Sequence, residues 1–282
     1  MATRSIGVAL SGSGLLLGAH IGALRAVEQA GFAISEIAGT SGGAIVAASY
    51  AAGATPDALE TMYLAADFRA LLPFRNYAVA AVRLLLTRGL ISPAPFEAWL
   101  RTTLGEMTLG QSRIPCTIVA SNLTTEASEI WRSGTTPAMK LWQAVLASAA
   151  FPLVFPPVQM NGAWLQDGGL FDDIPVDLLG TTPRLGVVVG GRPTPLVGSP
   201  SLIGLLMRDI ETLFLANSAH VVDSVPKDCT AIAYVEGVDV PIFDTAISVA
   251  TRQKLIAAGS EAALAALRTL VVSNAAAAAD GA

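Results

Sequence analysis

The chain has 282 residues, 52% of them hydrophobic and only 14% charged, against roughly 25% charged in an ordinary globular domain. It can therefore bury a large core and is not intrinsically disordered. With 17 basic and 22 acidic side chains the net charge is −5, without the basic footprint of a nucleic-acid-binding protein; Cys116 and Cys229 have neither the number of a disulfide framework nor the spacing of a metal site.

In chain order, residues 6–10 form an apolar run with β-branched Ile6 and Val8 that stops in Ser11-Gly12-Ser13-Gly14, which predicts a first strand. Ala19, Ala23, Ala26 and Val27 recur at helical spacing and end at Gly31. A second strand is predicted over 33–38 and a second helix over 42–52. Strand–helix–strand–helix in so short a span points to a parallel sheet with helices on its faces. Further helices are predicted over 56–66, 96–104 and 138–149, strands over 115–122 and 129–131, and a hairpin over 158–166 turning at Asn161-Gly162. Strands over 185–189 and 230–235 continue the sheet, separated by a Pro/Gly loop over 191–200 and an apolar helix over 202–222. That helix reads as a buried core element, with a lid or bilayer-facing patch as the other reading. One or two helices over 243–272 close the fold, and the alanine-rich stretch 275–282 is expected to be a frayed tail.

No repeat or charged linker divides the chain, so a single domain is expected over 1–274. The uncharged stretch 37–55 is broken by Gly39, Gly42, Gly43 and Gly53 and falls short of the about 20 apolar residues of a membrane span. The N-terminus lacks the long apolar run and cleavage site of a signal peptide. A cytoplasmic protein is expected.

Two turns carry chemistry. Gly39-Thr40-Ser41-Gly42-Gly43 is a G-x-S-x-G between a predicted strand and a predicted helix. In that context small neighbours let the serine occupy a sharp, exposed turn, and the helix aims its free N–H groups and positive dipole end at the same place. The plainer reading is a tight packing turn. Gly12-Ser13-Gly14, leading through Gly18 into a helix, offers N–H groups to an oxyanion; its rival, a dinucleotide loop, has G-x-G-x-x-G spacing rather than the G-x-G-x-x-x-G found here. Three groups are candidates to activate the serine. His20 follows the glycine turn and His220 lies in an apolar helical run, both positions where histidine more often packs than reacts. Asp167, in Gln166-Asp167-Gly168-Gly169, stands at the end of a hairpin strand, where the alternative is a turn cap.

Taken together these motifs resemble the patatin-like phospholipase family. The matching residues are Leu10-Ser11-Gly12-Ser13-Gly14 with Ala19-His20-Ile21-Gly22, the elbow at Ser41, Ala147-Ser148-Ala149-Ala150-Phe151-Pro152 with Phe155-Pro156-Pro157-Val158, and Asp167-Gly168-Gly169-Leu170 followed by Pro175-Val176. They occur in family order over residues 6–176. The resemblance implies a three-layer α/β/α sandwich with a mainly parallel central sheet. It implies Ser41 as nucleophile, Asp167 as base, and an oxyanion hole from the N–H groups of Gly12, Ser13, Gly14 and Leu15. The implied activity is hydrolysis of lipid carboxylic esters (phospholipid, lysophospholipid or neutral acyl ester) through an acyl-serine, with no metal or organic cofactor. The implied partners are lipid substrate and peripheral contact with a membrane or micelle, and no nucleic acid.

Departures from the family pattern bear on substrate. Ser13 replaces a glycine, and Leu16 and Leu17 stand where Arg/Lys and Gly are usual. A cation there would hold a phosphate by a charge-assisted bond worth about 1.5–3 kcal/mol, so its loss weighs against phospholipid more than against acyl hydrolysis. An arginine restored at Leu16 is expected to favour phospholipid unless that position is buried. Asp173 stands where the family often has Asn. Two other readings remain at this point. An α/β-hydrolase esterase would use Ser41, Asp167 and His220 in that fold's chain order, although its elbow normally follows several strands rather than one. A binding protein with weak chemistry rests on the missing cation alone.

Overall fold

Alternation along the central strands sorts the core into two layers. In β1 (Arg4–Leu10) Ile6, Val8 and Leu10 enter one hydrophobic cluster and Ala9 another; in β7 (Arg184–Val189) Leu185, Val187 and Val189 join the first and Val188 the second. A period of two does this because successive side chains point to opposite faces of a sheet. The computed structural model describes residues 4–190, 198–237 and 240–280, with side chains described to residue 270.

The other strands are β2 (Phe32–Thr40), β3 (Cys116–Asn122), β4 (Ala127–Arg132), β5 (Val158–Met160), β6 (Ala163–Asp167) and β8 (Thr230–Val235). The sheet runs β5-β6-β3-β2-β1-β7-β8, with β4 also paired to β3. Pairing is parallel from β3 through β2, β1 and β7 to β8, and antiparallel where β4, β5 and β6 join. The helices are α1 (Gly18–Gln29), α2 (Gly42–Ala51), α3 (Pro56–Ala65), α4 (Phe68–Leu71), α5 (Tyr77–Thr87), α6 (Ala94–Leu104), α7 (Leu141–Ser148), α8 (Leu202–Ser224) and α9 (Val249–Asp280). Residues of α1, α2, α7 and α9 fill the larger cluster, while Val222 of α8 packs with Ile174, Val176 and Leu179 in the smaller one. The result is the expected α/β/α arrangement.

The predicted elements are present with small shifts at their ends, and the hairpin turns where expected, with Asn161 and Gly162 both at positive φ. Most of the predicted loop, residues 191–197, lies outside the described residues. The backbone of α9 continues to Asp280, and residues 281–282 are outside the description. Two findings differ from expectation. Helices α4 and α5 occupy a stretch to which the sequence reading assigns no element. In α8 only Ser218 and Val222 are buried, while Leu202, Leu205, Leu206 and Leu213 are exposed. It is not a buried core helix, because only its C-terminal part, through Ser218 and Val222, is packed down, while the leucines of its N-terminal part stay open.

Candidate active site

Ser41 ends the turn between β2 and α2 with φ 53° and ψ −120°, in the left-handed region that costs a non-glycine residue about 1–3 kcal/mol. The surrounding structure holds it there. The Ser41 N–H donates to Ser148 Oγ at 2.8 Å, and Ser148 Oγ donates in turn to the Val119 carbonyl at 2.6 Å. The elbow glycines are spatially required: a Cβ on Gly39 would strike the Gly43 carbonyl, and one on Gly43 the carbonyls of Leu10 and Ser11. The turn is thus pressed against the end of β1.

The acid reaches the serine through β3. Residues Ile37–Thr40 of β2 pair with Cys116–Val119, and Leu165–Asp167 of β6 pair with Ala120–Asn122. Because β4 pairs with β3 along Thr117–Asn122, β2 and β6 must share the opposite edge and meet end to end there. Thr40 lies opposite Val119 and Asp167 opposite Ala120, so the two strands deliver their last residues to the same point. Ser41 Oγ donates to Asp167 Oδ2 at 2.6 Å, and Asp167 Oδ1 accepts from the Gly169 N–H at 3.0 Å. Ser121 Oγ donates to the Asp167 carbonyl at 2.8 Å. Asp167 is fully buried, and burial pushes its carboxyl up to about 7, although the bonds from Ser41 and Gly169 favour the charged form.

The glycine turn lies beside the elbow. Of the four expected oxyanion donors, two N–H groups are engaged: Gly12 donates to the Asp173 carbonyl at 3.1 Å and Leu15 to the Ile242 carbonyl at 2.7 Å. Ser13 and Gly14 have no such N–H bond among the described residues. The Ser13 hydroxyl is buried and has no hydrogen-bond partner among the described residues. His20 is buried with Nε2 at 2.9 Å from the Ser11 carbonyl; burial lowers it to about 4, so it is a neutral prop under the turn. His220 is exposed on α8. Neither histidine bonds to Ser41 or Asp167 among the described residues. Asp173, buried, accepts from Ser218 Oγ at 2.5 Å and is raised to about 7 by burial, with the Asp167 charge adding to the shift.

Ser41 faces an apolar pocket with Leu17, Phe68, Leu72, Phe96, Phe155 and Phe243 among its walls. Leu15 and Leu17 of the triple leucine line it, whereas Leu16 is 3% exposed and turned into the core. Sequence reasoning did not single out Ser148, although it lies in a quoted motif, nor the aromatic walls, whose sequence positions are scattered. Helix α8 also reaches the acid's loop: Asn217 Nδ2 donates to the carbonyls of Gly169 and Leu170.

The site is thus a serine elbow on a three-layer α/β/α sheet, with a buried acid at hydrogen-bond distance and an apolar pocket beside it. The family model for patatin-like phospholipases matches residues 8–179, well over half the chain, and the chain belongs to that family. It is 30% identical over 171 residues to an NTE family protein of Mycobacterium tuberculosis, covering 61% of this chain and 44% of that protein. It is likewise 30% identical over 209 residues to lysophospholipase nte1 of Aspergillus niger, covering 71% of this chain and 13% of that much longer one. The chain therefore spans less than half the length of either relative. Among solved structures the fold matches VipD from Legionella pneumophila, with TM-score 0.54 and 14% identity over 96% of this chain and 67% of that one. It also matches the type III effector ExoU, with TM-score 0.52 and 15% identity over 95% and 53% of the two chains.

Proposed function

We propose that this chain is a serine lipid acyl hydrolase working through a Ser41–Asp167 dyad. The observation that carries the reading is the 2.6 Å bond from Ser41 Oγ, at the wall of an apolar pocket, to the buried Asp167 carboxylate behind it. Ser41 Oγ attacks the ester carbonyl carbon as Asp167 takes the hydroxyl proton. The tetrahedral oxyanion is met by the uncommitted N–H groups of Ser13 and Gly14, narrower than the four-residue set, each such donor being worth roughly 2.7–4 kcal/mol. Collapse breaks the bond to the leaving alcohol, which receives the proton from Asp167, and leaves acyl-Ser41. Water then attacks the acyl carbon, gives its proton to Asp167, and releases the fatty acid as that proton returns to Ser41 Oγ.

The pocket's apolar walls suit an acyl chain, and the similarity to lysophospholipase nte1 makes a lysophospholipid the first natural substrate to test. The Ser41–Asp167–His220 triad has no geometric support, since His220 is exposed and Asp167 bonds Ser41 directly. Hydrolysis of p-nitrophenyl acyl esters and of lysophosphatidylcholine tests the reading. Ser41→Ala and Asp167→Asn should each lower it by on the order of a thousandfold or more, and full activity in either folded variant overturns the dyad.

A further inference from the structure

Between the pocket wall and α6 the chain presents an unusual helix. In α5, Asn76 Oδ1 accepts from the Val79 N–H at 2.9 Å at one end and Arg88 closes the other in a left-handed conformation. The helix is well capped, yet only Ala80 is buried. Leu85 is 84% exposed, Leu86 75% and Tyr77 80%, with Val79, Val82 and Phe74 also open. At 3.6 residues per turn, turning Ala80 inward carries Val82, Leu85 and Leu86 to the outer side. At the N-terminal end of the helix the Phe74 and Tyr77 rings meet edge to face at 5.3 Å. A contiguous apolar crest of this kind marks a surface that meets something.

Charge says what it meets. Residues 68–96 contain Arg69, Arg75, Arg83 and Arg88 and no acidic residue, in a chain whose acidic groups outnumber its basic ones. Arg69, Arg75 and Arg88 are exposed in the segment that carries the helix, Arg88 with its guanidinium 5.2 Å from the centre of the Trp164 ring, whereas Arg83 is turned inward to the Ile91 carbonyl. An apolar face bordered by arginines suits the boundary between acyl chains and anionic headgroups; a second copy would set the same arginines against each other. The crest also follows the pocket wall closely in the chain: Phe68, Leu71 and Leu72 just before it line the cavity at Ser41.

We infer that α5 is a docking helix that seats the protein on an anionic lipid bilayer, with Val82, Leu85 and Leu86 in the acyl boundary and Arg69, Arg75 and Arg88 among the phosphates. Its link to the pocket rests on the hydrolase reading; the docking itself does not. The test is cosedimentation of the full chain with vesicles of phosphatidylcholine alone or mixed in equal parts with phosphatidylglycerol. Wild type and Ser41→Ala should both bind the anionic vesicles and bind phosphatidylcholine weakly. Leu85→Ser combined with Leu86→Ser should weaken binding by about tenfold or more, and Arg69→Gln with Arg75→Gln should remove the preference for anionic vesicles. Hydrolysis of the water-soluble ester p-nitrophenyl butyrate should be unchanged by the Leu85/Leu86 pair. As a check independent of those variants, an environment-sensitive fluorophore on Leu85→Cys, in a Cys229→Ser background, should shift to the blue on anionic vesicles. Wild type left in solution, unchanged binding of the leucine pair, or a concentration-dependent dimer that the leucine pair dissolves without vesicle binding would overturn the inference. Vesicle binding without any ester hydrolysis would sustain the docking and overturn the hydrolase reading instead.

Discussion

Thr40 and Asp167 lie opposite consecutive residues of β3, Val119 and Ala120, on one edge of that strand. This end-to-end meeting of a parallel and an antiparallel neighbour brings Ser41 to within 2.6 Å of a carboxylate 126 positions away in sequence. Neither residue depends on a mobile side chain for its placement. The pairing of main chains does it.

Ser148 locks that arrangement by accepting the Ser41 N–H and donating to Val119. Ser148→Ala leaves a buried N–H without its acceptor, which should cost about 1–3 kcal/mol of stability. Since the lost bond holds the strained elbow rather than the substrate, kcat should fall more than KM. Denaturant unfolding and steady-state kinetics on a soluble ester check both; a change confined to KM, with kcat unaltered, would mean that Ser148 does not position the nucleophile.

The pH profile follows from burial of Asp167. A base must be ionised to accept the serine proton, and burial raises this one to about 7. kcat/KM should therefore rise with pH up to about 7 and level off above it, falling about tenfold per unit on the acid side. A profile that is flat down to the ordinary carboxylate range would show that no buried carboxylate controls the step.

Asp173 has a stability consequence. Its folded value, about 7, lies above the ordinary 3.8, so between these the folded protein holds a proton that the unfolded chain releases. Its contribution therefore falls as pH rises through that window, and the penalty is complete above it. Asp173→Asn keeps an oxygen for Ser218 and removes the charge. The variant's gain over wild type should be small near pH 4 and grow toward pH 8, at roughly 2–4 °C in Tm per kcal/mol recovered. Equal Tm differences at both ends would contradict this.

Leu16, where the family carries a cation, is buried rather than open to a headgroup. Leu16→Arg should therefore destabilise the protein by roughly 2 kcal/mol or more, as an unpaired buried charge does, rather than create a phosphate site. Thermal melting, with rates on lysophosphatidylcholine and on a neutral ester, decides it. An undiminished Tm with a shift toward the phospholipid would show that the turn opens to admit the arginine.

The elbow and its acid were legible because each carries local punctuation: Gly39 and Gly43 around Ser41, Gly168 and Gly169 after Asp167. Which N–H groups of the glycine turn are free was not, since the groups that occupy Gly12 and Leu15 are carbonyls of Asp173 and Ile242, far away in sequence. Helix α5 escaped for another reason. Its apolar residues face outward, so it lacks the polar outer face that identifies a helix packed on a core. In α8 hydrophobicity announced a helix without saying which side is covered, and the half anchored through Asn217 and Ser218 is bound by hydrogen bonds that periodicity does not register.

Labelling with a fluorophosphonate, read by peptide mass mapping, tests the dyad most directly. A single adduct should form on Ser41, at a near-normal rate in His220→Ala and almost not at all in Asp167→Asn. An adduct on another residue, or an Asp167→Asn protein that labels Ser41 as fast as wild type, would contradict the dyad.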